Sequence, residues 1–488
     1  MKNKTSNKYA IEFIENAFLL LLLLVFFIIK VFFLMHANPL PDEAYYWLWS
    51  KNMSLSYFDH PPMVAWSQAL LASFFDNKYF IIRALPLFSL GIVLTTLIVW
   101  QKYILMKFGF GTSLKNMALF LAFPINAIFF SISFPDYMLI TLLFLSSFCT
   151  FLFIQRNGIH YWYLAVLLFS LALLTKYNAI LFGLGVLIYI LYFKKEIKGP
   201  SYGHITVSIF IILFIQLPVI SWNLDNDFAS FSFHLSERLD NGKDLATVLE
   251  NIIGFLLGVF LSFSPIFIFN LGHKFNFGNY SENTNHFVMM SKFVLVLSII
   301  FCIFLSFFTN VLYYWLIPAI ILLVPFSSDI IRSKIWQYTH IFYGMLISLI
   351  LLINISFYPI SALFGEVDRE TGITFGWEKI IEAIAKEKKD RGIDEVIFSD
   401  YRLGSLYMFH SDDFEVDVVM EERRTQFDIW RGEGKTLKEK TLIVTDKDFP
   451  LSKKILSNFK SVEVVRSIEI YIGNTLIREY KVFLGKHN

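Results

Sequence analysis

Long apolar runs separated by short polar loops set the first constraint on this chain. Runs near 14–35, 80–101, 116–133, 137–154, 161–175, 178–193, 204–221, 249–271, 293–308, 311–326 and 338–360 mostly approach the ~20 residues that a helix needs to cross a bilayer core. In hydrocarbon every backbone N–H and C=O must be paired within the segment, which an α-helix achieves. A polytopic α-helical membrane protein with about eleven spans is therefore expected. The composition agrees, with 56% hydrophobic and only 17% charged residues, far from the soluble norm. The net charge of +2 gives no support to nucleic-acid binding. Cys149 and Cys302 both fall inside apolar runs, which argues against a disulfide framework or a thiolate metal site. The run 18–35 is long enough to span, and no small-residue cleavage site follows it.

Alternate loops differ in basic charge. Segments 1–13, 102–115, 155–160, 194–203, 272–292 and 327–337 carry 14 Lys plus Arg, and the rest of the chain to residue 360 carries 7. The positive-inside bias then places the N-terminus in the cytoplasm and the loop 36–79 outside. Residues 361–488 hold 21 of the 42 Lys plus Arg and no membrane-length run. GWEKIIEAIAKEKKDRG reads as an amphipathic helix ending at Gly392. EVIFSD, FEVDVVM, TLIVTD and SVEVVRSIEIYIG read as short strands, with LSKKILSNF as a helical stretch between two of them. The expected organisation is a membrane domain over 1–360, with outer loops 36–79 and 222–248, followed by a small outer α/β domain over 361–488.

Every cluster of ionisable groups that resembles chemistry falls on the outer face of this topology. Residues 38–66 contain the acidic pair Asp42 and Glu43, the run Asp59-His60-Pro61-Pro62 and seven aromatic side chains. Asp42 follows Pro41, so capping of a helix start is the plain structural explanation. The functional one is that Asp42 shares a helix face with Tyr46 and Trp49 and takes or orients a proton of an attacking group. Glu43 lies about 100° further round the helix. Glu43, Tyr46, Asp59 and His234 are the expected lining of a substrate groove. The aromatics Tyr45, Tyr46, Trp47, Trp49, Tyr57 and Trp66 fit an interfacial belt.

Asp136, in SFPDY, opens a span, and Lys176, in LLTKYNA, lies between two apolar runs. Capping and snorkelling explain them separately. Ionisable groups at membrane depth point to function, and Lys176 suits an anion clamp. Arg238, in HLSER, offers a guanidinium fork to the same anion. His60, held between Asp59 and two prolines, serves as a phosphate partner when protonated and as a single hydrogen-bond donor when neutral. No cofactor is required by any of these groups. A divalent metal shared by Asp59 and His234 is the one metal option the residues leave open. There is no P-loop, dinucleotide glycine motif, HExxH or GxSxG, so a nucleotide-driven pump or an ordinary hydrolase has no basis.

DEAYYW after the first span, the F-[DE]-x-P-P element FDHPP before the second, and Asp136 opening a later outer span together resemble the GT-C membrane glycosyltransferases. The similar branch is the bacterial family related to protein mannosyltransferases and to the lipid A aminoarabinose transferase. LTKYNAILF is similar to its lysine-containing loop, the loop from Trp222-Asn223 to Arg238 to its later outer loop, and RRTQFDIW to an element of its extracytoplasmic domain. The resemblance implies inverting transfer from a polyprenyl-phosphate sugar, on the periplasmic face of the bacterial inner membrane, to a lipid such as lipid A or to a protein. It implies that Asp42 and Asp136 are the two catalytic acidic positions and that Lys176 and Arg238 bind the donor phosphate. His60 stands where the aminoarabinose transferases carry a lysine, so the resemblance does not extend to that particular sugar. The competing classes are a transporter or lipid flippase, which requires charges near the middle of spans, and a receptor whose function resides in 361–488.

Overall fold

The structure, a computed structural model, describes residues 2–105, 109–237, 244–273, 280–420, 423–432 and 440–486. Among the described residues seven helices are long and apolar enough to cross a membrane: Ala10–His36, Lys78–Ile104, Pro135–Arg156, Tyr202–Asp225, Leu245–Ser262, Glu282–Leu305 and Lys334–Ser356. Tyr313–Ile320 and Val324–Ile330 make an eighth if that pair, bent by 72°, is one broken span. Among the described residues the helices of spanning length are thus fewer than the eleven expected, and the shortfall has local causes. Run 116–133 breaks into Phe110–Leu121 and Pro124–Phe129, because Pro124 lacks an N–H and pushes Phe123 out of the helical region. Runs 161–175 and 178–193 become Ile159–Leu173 and Ile180–Tyr192, of 15 and 13 residues, only roughly 20 Å long each. Run 249–271 is interrupted at Ser264, whose φ is +70°, just before Pro265.

Each break leaves carbonyls that require donors away from water. Lys30, on the first helix, donates its Nζ to Ala127 O at 3.0 Å and Ser131 Oγ at 2.6 Å, and reaches Asn126 O at 3.4 Å. It therefore places a cation at the carbonyl end of Pro124–Phe129, where the helix dipole favours one. Gln101 Nε2 donates to Pro325 O at 2.5 Å within the bent pair. A ring nitrogen of His340 lies 3.0 Å from Leu119 O.

Contacts divide the chain into two compact units, 1–31, 60–63 and 84–349 in the first and 32–59, 64–83 and 350–488 in the second. The first is a helical membrane unit. Its core includes Trp100, ringed by Phe144, Phe148, Phe151 and Phe287 at centroid distances of 5.2 to 5.6 Å.

The second unit is built on a five-stranded mixed sheet. Its strands are β1 (Val396–Phe398), β2 (Val416–Val418), β3 (Lys440–Asp446), β4 (Ser461–Ile472) and β5 (Thr475–Lys486), in the order β2-β1-β3-β5-β4. β1 is parallel to β2 and β3, and β5 runs antiparallel to both β3 and β4. The helix Tyr401–Ser411 forms the crossover from β1 to β2, as parallel pairing demands. Ile397, Val419, Ile443, Ile455 and Phe459 form an apolar cluster in this unit, with Leu451, Val462 and Phe483 packed around it. The expected amphipathic helix is Trp377–Arg391, stopped by Gly392 at φ +64°. The strand β5 was not foreseen. It carries Arg478 at a buried position, paired with Asp446 at 2.5 Å and Asp448 at 2.9 Å, which spoils a simple alternating pattern. The helix Pro41–Lys51 belongs to this unit and packs against Tyr401–Ser411, with Trp47 edge-on to Phe409 at 6.2 Å.

Replacing Lys30 by Met should remove one donor from the carbonyls of 126 and 127, which keep the Phe130 N–H and the Ser131 hydroxyl, and cost about 1 kcal/mol. Thermal unfolding of the detergent-solubilised protein reads this as a lowered midpoint. An unchanged midpoint would show that other donors satisfy this break.

Candidate active site

Pro41 starts the helix Pro41–Lys51, and its ring fixes the first turn at no hydrogen-bond cost. That turn carries both acidic residues, and the helical advance sends them to different environments. Asp42 remains partly accessible and accepts a hydrogen bond at Oδ1 from the Tyr401 hydroxyl at 2.9 Å. Glu43 is fully buried, paired with Arg83, and accepts the Leu40 N–H at 3.0 Å. Arg83 also donates to Asn38 O at 3.2 Å. Glu43 therefore anchors the start of the helix and does not line a groove, which corrects the expectation. Tyr46 is also buried, edge-on to Trp49 at 4.7 Å, and is no groove residue either. The same holds for the expected aromatic belt. Tyr45, Trp47, Trp49 and Tyr57 are at most 2% exposed, since this loop packs into the second unit and its rings become core.

The residues around Asp42 come from the α/β part of that unit. Tyr401 is the first residue of the helix that follows β1, and Asp400 caps it by accepting the Arg402 N–H at 2.8 Å. The carboxyl ends of parallel strands are where open α/β sheets present ligands. Burial pushes the Asp42 carboxyl above its ordinary value, Arg402 opposes that shift, Glu370 adds to it, and the Tyr401 hydrogen bond pulls it down. Asp59 is buried, accepting from the Tyr45 hydroxyl at 2.8 Å and pairing with Arg423. Tyr45 Oη in turn accepts the Gln426 N–H at 2.7 Å, and Gln426 Oε1 accepts the Phe58 N–H at 2.8 Å. RRTQFDIW thus closes over the segment that ends in Asp59. Tyr401, Arg402 and Arg423 are the residues that sequence reasoning missed. The available signals were RRTQFDIW itself and the YR pair directly after the strand EVIF.

A second polar cluster lies inside the membrane unit. Asp136 occupies the first turn of Pro135–Arg156, and Lys176 Nζ donates to both of its carboxylate oxygens at 2.9 and 2.8 Å. Both residues are buried, and the ammonium lies 4.4 Å from the Tyr314 ring centroid. The next residue, Tyr177, bonds Ser230 Oγ at 3.0 Å and packs edge-on to His234 at 5.1 Å. His234 stacks on His60 at 6.2 Å. Four of the expected residues, Asp136, Lys176, His234 and His60, thus occupy this one unit, with Lys176 paired to the second acidic position. Arg238 lies outside the described residues. Among the described residues no three His, Cys, Asp or Glu side chains gather as a metal-ligand set.

Comparison with known proteins covers both clusters. Residues 59–222 match the family model described as dolichyl-phosphate-mannose-protein mannosyltransferase, a stretch that includes His60, Asp136 and Lys176. The lipid A galacturonosyltransferase RgtD of Rhizobium johnstonii is 25% identical over 237 residues. That alignment takes in 47% of this chain and 47% of RgtD, so the match spans about half the length of this curated relative. Crystal structures of ArnT from Cupriavidus metallidurans match nearly end to end. The apo form has a TM-score of 0.60 at 13% identity, covering 96% of this chain and 98% of that one. The form bound to undecaprenyl phosphate has a TM-score of 0.58 at 14% identity with the same coverage. The chain is thus a polytopic membrane protein with the fold of ArnT over nearly its whole length, and its residues 59–222 are similar to the dolichyl-phosphate-mannose-protein mannosyltransferase family.

Proposed function

We propose that the protein is an inverting glycosyltransferase that moves a sugar from a polyprenyl-phosphate donor to a lipid acceptor. The single observation that carries this reading is the buried Lys176–Asp136 pair within the matched domain. It is a fixed cation at membrane depth, suited to a lipid-borne phosphate. RgtD by its name acts on lipid A, and ArnT has been crystallised with undecaprenyl phosphate. Both support a polyprenyl-phosphate donor and a lipid acceptor. The excess of Lys plus Arg in alternate loops, 14 against 7, supports a cytoplasmic N-terminus and a periplasmic site and C-terminal unit in the bacterial inner membrane.

In this reading the acceptor oxygen attacks the anomeric carbon from the face opposite the phosphate. The C–O bond to phosphate breaks, the configuration inverts, and polyprenyl phosphate leaves. Negative charge builds on the departing phosphate, and Lys176 stabilises it in surroundings largely without water, where such contacts are strong. His60 and Arg238 are assigned to the same anion. Asp136 holds the ammonium in place, since both of its oxygens are engaged by Lys176. Asp42 takes the proton of an attacking hydroxyl, or orients the nucleophile where the acceptor group is already a phosphate. No step requires a metal.

The direct test is transfer from radiolabelled polyprenyl-phosphate sugars to an envelope lipid extract by purified protein in detergent. Asp42→Asn should lower transfer at least ~100-fold with a hydroxyl acceptor. Equal transfer by both proteins removes Asp42 from the mechanism, and no transfer from any donor by folded protein defeats the reading.

Lys176→Met should abolish transfer and, by leaving Asp136 buried without its counter-charge, cost about 3–5 kcal/mol of stability. The double substitution with Asp136→Asn should recover most of that stability in thermal unfolding and none of the transfer. Recovery of transfer would show the pair to be purely structural.

Tyr401→Phe removes the hydrogen bond that favours the ionised Asp42 carboxylate, so the carboxyl rises further above its ordinary value. A base works only when ionised. The acid limb of the pH–rate profile should therefore move to higher pH, with the high-pH plateau largely kept. A limb that stays in place would separate Tyr401 from the base.

A further inference from the structure

Tyr401 donates to Asp42, and within the same unit its ring is met by two guanidiniums, Arg402 at 4.7 Å and Arg423 at 5.0 Å from the ring centroid. The two are held differently. Arg423 is fastened on Asp59. Arg402 has no partner of that kind. Its Nη1 lies 3.3 Å from both oxygens of Asp400, longer than a charge-assisted hydrogen bond usually is. Its Nε lies 3.8 Å from Glu370, beyond hydrogen-bond reach. Its other support is the ring of Phe449 at 5.2 Å, and the Phe449 carbonyl is itself held by the Ser399 hydroxyl at 2.6 Å. The local sequence explains this placement. Asp400, Tyr401 and Arg402 follow β1 directly, so cap, phenol and cation all fall at one helix start.

The groups that bear on Asp42 come from three elements. Tyr401 and Arg402 belong to the helix after β1, Glu370 to the short helix Arg369–Gly372, and Asp59 to the segment that RRTQFDIW covers. Arg402 is the positive charge among them, against the negative charges of Glu370 and Asp59. Asp59 is already paired with Arg423, and Glu370 with Arg369 at 2.8 Å. A guanidinium stacked on rings and only loosely engaged by Asp400 and Glu370 keeps charge for a third carboxylate. We infer that Arg402 is a positioning residue of the transfer, holding the Tyr401 ring so that its hydroxyl stays on Asp42 and supplying the charge that keeps Asp42 ionised, while Glu370 competes for that charge.

The inference rests on the reading of Asp42 as the base, and a labelling measurement separates the two. Dicyclohexylcarbodiimide attacks protonated carboxyls, so its labelling of Asp42 across pH, read by peptide mass spectrometry on the purified full-length protein, titrates that group without any transfer. Loss of a nearby opposite charge raises a carboxyl, so Arg402→Gln should move the labelling midpoint up by about one pH unit. The acid limb of the rate profile should move up with it, because only the ionised form accepts a proton. Arg402→Lys keeps the charge without the planar stack and should restore most of the midpoint. Glu370→Gln changes a side chain that is 56% exposed and should move the midpoint the other way, to lower pH. An unmoved midpoint in folded Arg402→Gln, or an equal rise in Arg402→Lys, overturns the inference. If Arg402→Gln does not fold, Glu370→Gln decides alone, and a midpoint that fails to fall overturns it. Midpoints that move as stated in a protein that transfers no sugar leave the hold of Arg402 on Asp42 standing and defeat the transfer reading. Transfer that persists with unmoved midpoints does the reverse.

Discussion

A charge withdrawn from water must be met by a counter-charge or by enough hydrogen-bond donors, because leaving it bare costs several kcal/mol. That requirement organises both units. In the membrane unit it joins Asp136 to Lys176 and sends Lys30 to the carbonyls of a broken helix. In the second unit it joins Glu43 to Arg83, Asp59 to Arg423, and Asp446 to Arg478. Each of those three pairs ties together parts of the chain that no local pattern connects. Hydrophobic burial makes these units compact, but it is non-directional. The ion pairs are directional, and they set where the Pro41–Lys51 helix begins and which segment closes over Asp59.

The same requirement explains how much could be read from the sequence. Spans, the helix after Pro41, the position of Asp136 in a first turn and the amphipathic helix ending at Gly392 all follow from local rules of length, period and punctuation. Most strands of the small sheet were legible for the same reason. The strand β5 was not, because Arg478 occupies an inward position that only its pairing with Asp446 makes tolerable. The aromatic residues of 45–57 look like a membrane belt in sequence. They became core because a distant part of the chain, including Tyr401 and Phe427, covers them. Arg402 and Arg423 were missed as site residues, since Arg402 comes close to Asp42, and Arg423 meets Asp59, only through folding.

Asp42 and Glu43 show how adjacent identical chemistry diverges. One step of a helix turns a side chain by about 100°, enough to send Glu43 against Arg83 and leave Asp42 partly open beside Tyr401. A buried carboxylate with a guanidinium on it is a fastening. A partly accessible one, raised by burial and held by a single neutral hydroxyl, keeps a lone pair available for a proton. Position in the sequence alone does not distinguish the two; the partner does.

The pairing of Lys176 with Asp136 bears on how a phosphate would be received. A lysine ammonium has three donors, and two of them are spent on the oxygens of Asp136. The side chain is thereby held in one orientation before any ligand arrives, so little rotamer freedom is left to lose on binding. The pair is close to neutral overall, which makes burial at membrane depth tolerable without a ligand. A phosphate that approached would meet the one remaining donor of that ammonium. As the bond to the sugar breaks and charge accumulates on that phosphate, the attraction grows while the geometry stays fixed. An arrangement of this kind favours the departing phosphate over the intact donor, and that difference, rather than tight binding, is what accelerates a transfer.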